Sequence, residues 1–334
     1  MSDRSRFGIP AALSLLVLAL APAAGPAWGQ AVKVKVGSSL SPPAFDALTQ
    51  YAAQQRGFIK KYGLEVELVE FRGDATSTKA LLAGEVDVNL MGSTASIVTA
   101  SKGSKIRLWV VPQPVTPFHL VARKEAATSL QGLVGKNIAV SGIGAYSYHI
   151  PRMVLARNGI DPDKAKYIAL GSPADRFKAL LAGKIDATVV RTIEAAKLAQ
   201  YPEIVSLVQV AKVLPEIPDN FFMAKEEYIA KNPETMYKLT RAFLEANRWM
   251  AANKAGMIEM AARVLKDETP EVLSKAYDLM DPRLWGVNGD ITEGMYKYTV
   301  DFLVQVGYLK EPVRFDQFFD RRFLDRALAE LGRM

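Results

Sequence analysis

The chain has 334 residues, with 42 Lys+Arg against 35 Asp+Glu, a formal net charge of +7 and no cysteine. The lack of thiols excludes disulfides, thiol nucleophiles and cysteine-based metal centres. Lysines and arginines are scattered among acids, with no basic block interleaved with aromatics. The charge therefore argues against a nucleic-acid surface and reads as a solvated exterior with a mild preference for anionic ligands.

Arg4 and Arg6 precede an apolar run, Ala11 to Ala21, and Ala27-Trp28-Gly29 fits the small-x-small rule for signal-peptide cleavage. The run is shorter than the ~20 residues needed to cross a bilayer. Residues 1–29 are expected to be a signal peptide cut before Gln30, the alternative being an uncleaved anchor. Without a cysteine at the mature start there is no lipid anchor, which points to a soluble protein of the periplasm.

The mature chain opens on an alternating strand, Val32 to Val36, and Pro42-Pro43 begin a helix with Phe45, Leu48 and Ala52 on one face. Strand Leu64 to Phe71, helix Asp74 to Ala83, strand Val86 to Leu90, helix Ser93 to Ser101 and strand Ile106 to Val111 follow. Pro112, Pro114 and Pro117 then interrupt the pattern. It restarts with strand Asn137 to Ser141, a helix ending near Gly159, strand Ala165 to Leu170, helix Ala174 to Ala182, strand Ile185 to Val190, a helix, and strand Ile204 to Val210. Pro151 predicts that the helix before Gly159 starts near Tyr148 to Ile150. After a second proline pair, Pro215 and Pro218, the pattern from Pro233 onward is almost purely helical. Strands alternating with short helices predict parallel sheets covered on both faces.

The segment Lys79-Ala80-Leu81-Leu82-Ala83-Gly84-Glu85-Val86-Asp87-Val88 recurs 99 residues later as Lys178-Ala179-Leu180-Leu181-Ala182-Gly183-Lys184-Ile185-Asp186-Ala187. Each copy reads as a helix end, a glycine able to take the left-handed cap, and a buried strand. Two copies in equivalent places imply two lobes of one design, with Asp87 and Asp186 in structural roles at strand starts.

These residues, together with Gln55-Arg56-Gly57-Phe58-Ile59, Tyr62-Gly63-Leu64-Glu65-Val66, Leu130-Gln131-Gly132-Leu133-Val134-Gly135-Lys136-Asn137-Ile138-Ala139-Val140 and Tyr228-Ile229-Ala230-Lys231-Asn232-Pro233-Glu234, resemble the periplasmic binding proteins for sulfonates, taurine, nitrate and pyrimidine precursors. The resemblance covers the whole mature chain. It implies an α/β, two-lobed periplasmic-binding-protein type II fold with the ligand cleft between lobes joined by two crossings. Lobe 1 is expected over residues 30–115 plus 222–334 and lobe 2 over 116–221. The implied function is that of an extracytoplasmic, non-enzymatic receptor of an ABC importer. It would act as a monomer, without cofactor or metal, delivering a small organic anion to a membrane permease and its ATPase.

Ligands of open α/β sheets sit beyond the carboxyl ends of strands, where helix N-termini favour anions. The candidates in lobe 1 are Ser38, Ser39 and Pro42 after the first strand, Gly92, Ser93 and Thr94 after the third, and Gln113 near the crossing; Ser93 and Thr94 also suit ordinary N-capping. In lobe 2 they are Tyr146, Ser147, Tyr148 and His149. Their aromatic character suits a larger or aromatic solute, or simple packing between lobe and loop. Arg191, at the end of strand Ile185 to Val190, suits paired bonds to a carboxylate or sulfonate, or else a surface ion pair with Glu194. Asn220 is a lesser candidate, and Trp109, Phe118 and Trp285 suit an apolar wall, although Trp109, inside a strand, better suits the core. With only His119 and His149 in the chain, no metal site is expected. The alternatives are a binding module serving a sensor, or an enzyme on the same fold of the thiamine-precursor or menaquinone-pathway type.

Overall fold

The computed structural model describes residues 31–334, so the expected signal peptide lies outside the described residues. Ten strands form two five-stranded sheets. The first holds β1 (Val32–Ser38), β2 (Leu64–Glu70), β3 (Val88–Gly92), β4 (Ile106–Val110) and β10 (Asn220–Lys225), in the order β2-β1-β3-β10-β4. The second holds β5 (His119–Arg123), β6 (Asn137–Val140), β7 (Lys166–Ala169), β8 (Ala187–Val190) and β9 (Ile204–Gln209), in the order β7-β6-β8-β5-β9. The two orders are equivalent strand for strand, the architecture that the internal repeat implies.

The repeat shows why. Gly84 and Gly183 both sit at positive φ, +79° and +70°. In each copy the next N–H returns to the helix, Glu85 to the Ala80 carbonyl at 2.9 Å and Lys184 to the Ala179 carbonyl at 3.0 Å. Asp87 Oδ2 accepts the Lys35 N–H, and Asp186 Oδ2 accepts the Asn137 N–H, both at 2.8 Å. Each aspartate thus ties the start of its strand to the neighbouring strand.

The sheets are mixed rather than wholly parallel. β10 runs antiparallel to β3 and β4, and β5 runs antiparallel to β8 and β9. These are the strands that follow each crossing, and neither was legible in the sequence. His119–Arg123 and Asn220–Lys225 are short apolar runs next to prolines, without the bounding turn that marks a strand. The chain passes between sheets over residues 111–118 and returns over 210–219. Asn220 and Phe221 already pair with Gly92 and Met91, so they belong to the first sheet, slightly ahead of the boundary expected at 222.

Helix Tyr146–Arg157 begins earlier than Pro151 suggested and carries that proline inside it. Helix Pro233–Ala252 packs Met236, Leu239, Phe243 and Leu244 into the first lobe, where Phe243 stacks on Phe222 and Trp109. Its buried Asn247 fixes the first crossing, donating to the Pro112 carbonyl at 3.0 Å and accepting from Thr49 Oγ1 at 2.7 Å. Among the described residues no helix is long and apolar enough to cross a membrane.

Candidate functional site

The carboxyl ends of β1, β3, β6 and β8 converge on a narrow cleft. Ser39, Arg72, Asp74 and Gly92 line it from the first sheet's side. Ser141, Tyr146, Ser147, Ser172, Arg176 and Arg191 line it from the second, with Phe118 and Asn220 at the crossings. The two sides meet at Gly92. A Cβ built there would stand 2.6 Å from the Tyr146 Cβ, so only glycine admits this approach.

Of the residues expected from sequence, Ser39, Gly92, Tyr146, Ser147, Arg191 and Asn220 line the cleft. The others are placed elsewhere. Ser38 Oγ accepts the Leu40 N–H. Pro42 lies in an outer groove with Phe45 and Phe177. Ser93 donates to the Pro218 carbonyl at 2.6 Å, which ties helix Ser93–Ser101 to the second crossing instead of presenting the hydroxyl to a solute. Thr94 is fully buried on that helix, and Gln113 is buried behind it, facing Thr49. Tyr148 and His149 point away from the cleft, because the helix starts at Tyr146 rather than at its proline. They pack edge-on against Tyr308, with ring centroids 5.9 and 4.4 Å away. Of the expected apolar wall, Phe118 lines the cleft, whereas Trp285 packs on Tyr277.

His149 yields a measurable consequence. Burial lowers its pKa from 6.5 to about 4, partly offset by its bond to the Gly144 carbonyl and reinforced by Arg152. The ring is therefore neutral in the fold, whereas in the unfolded chain it gains a proton below pH 6.5. The stability this neutral ring contributes is complete above pH 6.5 and is lost as pH falls toward 4, by roughly 3 kcal/mol at most. Denaturant unfolding measured across that range should show the loss; His119, which burial also lowers to about 4, contributes a similar slope, so His149→Gln should remove about half of it, and an equal slope in the variant would refute the assignment.

Arg191 is engaged differently from either expectation. Its Nε donates to Asp46 Oδ1 at 2.7 Å, Nη1 donates to Asp219 Oδ1 at 3.3 Å, and Nη2 bonds both carboxylates. Thr192 Oγ1 donates to Asp46 Oδ2 at 2.6 Å. Glu194 accepts only the Arg191 backbone N–H. Burial alone would lower the guanidinium's pKa, but Asp219 and Asp46 raise it overall. All three ionic groups are buried. Asp46 belongs to the short 3-10 helix Phe45–Ala47 that follows β1 and Arg191 directly follows β8, so the cluster ties the two sides of the cleft together.

Sequence reasoning missed Arg176, on helix Pro173–Leu181. It is only 1% exposed, yet it forms no ion pair among the described residues. Its bonds run to neutral acceptors: Nη1 to the Gly171 carbonyl at 2.6 Å, Nε to Thr188 Oγ1 at 3.2 Å and Nη2 to the Val189 carbonyl at 3.3 Å. A guanidinium has five N–H donors, so two are left over beside the cleft. Burial lowers its pKa to about 10, with Glu194 acting in the opposite sense through space, and the group stays cationic at neutral pH. Arg72 is exposed at the cleft mouth on the opposite side.

The family model described as NMT1/THI5 like matches residues 44–256, more than half of the chain. The chain therefore belongs to the NMT1/THI5-like family. It is 25% identical over 288 residues to Putative binding protein YtlA of Bacillus subtilis, covering 84% of this chain and 86% of that one. It is 24% identical over 234 residues to the taurine-binding periplasmic protein of Escherichia coli, covering 67% and 68%. The crystal structure of the alkanesulfonate-binding protein SsuA of Xanthomonas axonopodis pv. citri, bound to MOPS, superposes with a TM-score of 0.72 at 18% identity, over 87% of this chain and 98% of that one. That likeness shows the periplasmic-binding-protein fold.

Proposed function

We propose that the chain is a non-enzymatic receptor that captures a small organic anion in the cleft and delivers it to the permease of an ABC importer. The lobes would be residues 31–115 with 220–334, and 116–219. Placement in the periplasm is part of this reading, supported by the N-terminal sequence and the periplasmic taurine-binding relative.

Arg176 is the observation that carries the anion. A buried cation without a counter-ion costs several kcal/mol in desolvation, and a bound anion would repay that cost in a low-dielectric site. The N-terminus of helix Tyr146–Arg157 opens on the same cleft, but Asp74 Oδ2 already accepts its Tyr146 N–H at 3.4 Å, so the attraction for an anion rests on Arg176. Arg191, the residue favoured from sequence, is already neutralised by two carboxylates, so in this reading it holds the lobes while Arg176 holds the solute.

A thermal-shift screen of matched anions and neutral isosteres tests the reading, since a ligand at ~100 times its Kd adds about 2.7 kcal/mol of apparent stability. Sulfonates or carboxylates are expected to raise Tm, with amides and alcohols of the same shape inert. Stabilisation by uncharged solutes alone would contradict it.

A further inference from the structure

Helix Tyr146–Arg157 starts at the cleft, but its outer face meets the far end of the chain. Tyr308, which follows helix Glu293–Gln305, packs edge-on against His149 and Tyr148. Two turns further on, Arg157 lies over the Tyr298 ring, 5.4 Å from its centroid. Resting on the two-lobe reading above, this is a contact between lobes: Tyr298 and Tyr308 belong to one, helix Tyr146–Arg157 to the other. His149 sits in it fully buried. Its Nε2 lies 3.1 Å from the Gly144 carbonyl, which can only accept, so Nε2 carries the proton of the neutral ring. Nδ1 is then a bare acceptor, buried and without a partner. A second proton placed there would find nothing to accept it.

The groups around the ring do not help a cation. On its own helix they are Tyr148 and Arg152, whose charge opposes protonation. Tyr308 faces it from the other lobe, while Tyr167 of β7 and Asp163 engage Arg152 instead. Helix Ser93–Ser101, β8 and helix Val210–Val213 also pack on this helix. The first two carry no charged residue, and Lys212 of the third acts on His119. Through Gly144 the ring also holds the turn between the cleft residues Ser141 and Tyr146, and a Cβ built at Gly144 would stand 3.4 Å from Tyr308 Cε1.

We propose that His149 is a pH-sensitive clasp on the closed cleft: the neutral ring lets Tyr308 seat and holds the lobes together, and the protonated ring expels Tyr308, so that the cleft opens and the solute leaves. Opening gives the new Nδ1–H the water that the closed interface denies it. The clasp adds to the Arg191 cluster rather than replacing it. With the closed form holding the ring at about 4 against 6.5 in water, the open-to-closed ratio should rise by up to about 25-fold between pH 7.5 and 5.0. The sign follows from the lowered value, since protons then bind the open form in preference.

The chain has no cysteine, so Thr76→Cys and Lys178→Cys, exposed positions two residues beyond Asp74 and Arg176, take paired spin labels cleanly. Double electron–electron resonance on the solute-free protein should show a longer distance component growing from pH 7.5 to 5.0. His149→Gln, which keeps a donor for the Gly144 carbonyl, should remove that growth. Growth that persists in His149→Gln would belong to another group, such as Asp219, whose carboxyl burial raises to about 6, and would overturn the clasp. Tyr308→Ala should raise the longer component already at pH 7.5. If it does so while wild type ignores pH, the lobes hinge but no proton controls them, and the proposal fails alone. If neither acid nor Tyr308→Ala changes the distance, the hinged two-lobe reading fails with it.

Discussion

Replacing Arg176 with methionine is expected to abolish solute binding while leaving the unliganded protein folded. Two charge-assisted hydrogen bonds at ~1.5–3 kcal/mol each amount to a loss of roughly a hundredfold to ten-thousandfold in affinity. The effect on stability is expected to be small because two terms oppose. Methionine removes a desolvated cation without a counter-ion, which is favourable. It also leaves the Gly171 and Val189 carbonyls and Thr188 Oγ1 without their donor, which is not. Calorimetry paired with thermal unfolding separates the two readouts. Wild-type affinity in a folded Arg176→Met protein would remove the guanidinium from the site.

Arg191→Ala should behave in the opposite way, with stability as its main casualty. Asp46 and Asp219 would be left buried, close together and unpaired, and breaking a buried ion pair typically costs about 3–5 kcal/mol. That is a large part of the net stability of a domain. Adding Asp46→Asn and Asp219→Asn to Arg191→Ala should recover much of the loss, since the stranded charges are gone. Urea unfolding of the single and triple variants checks this. A single variant as stable as wild type would mean that the cluster holds nothing together.

The fold was largely readable because its signals are local. The glycine caps at Gly84 and Gly183 and the alternation in Val32–Ser38 depend on neighbours in sequence. The repeated decamer carried the two-lobe design. β5 and β10 escaped because each is a short apolar run beside prolines without a bounding turn, and its antiparallel pairing is set by a strand distant in sequence. The site was half legible for a related reason: loop residues after strands were found, but side chains reaching in from helices or from across the cleft were not. Asp46 reads as one face of a short helix, and its partner Arg191 lies 145 residues away.

Arg176 did leave a trace. At the repeat's 99-residue offset it corresponds to Ser77, and Thr188 to Asn89. In the first lobe Asn89 Nδ2 donates to Ser77 Oγ at 2.7 Å, a neutral pair whose Asn89 Oδ1 stays buried without a partner. In the second lobe the same two positions hold Arg176 and Thr188, joined at 3.2 Å. A guanidinium exceeds what that contact requires, so the departure between copies marks the residue with spare donors.

The most direct measurement is the crystal structure of the protein with the tightest-binding anion from the screen. The account predicts the anionic group between the two sheets, with an oxygen about 2.7–3.0 Å from an Arg176 nitrogen. Arg191 should still bond Asp46 and Asp219. An anion seated elsewhere, for instance in the outer groove beside Pro42, Phe45 and Phe177, with Arg176 untouched, would contradict it.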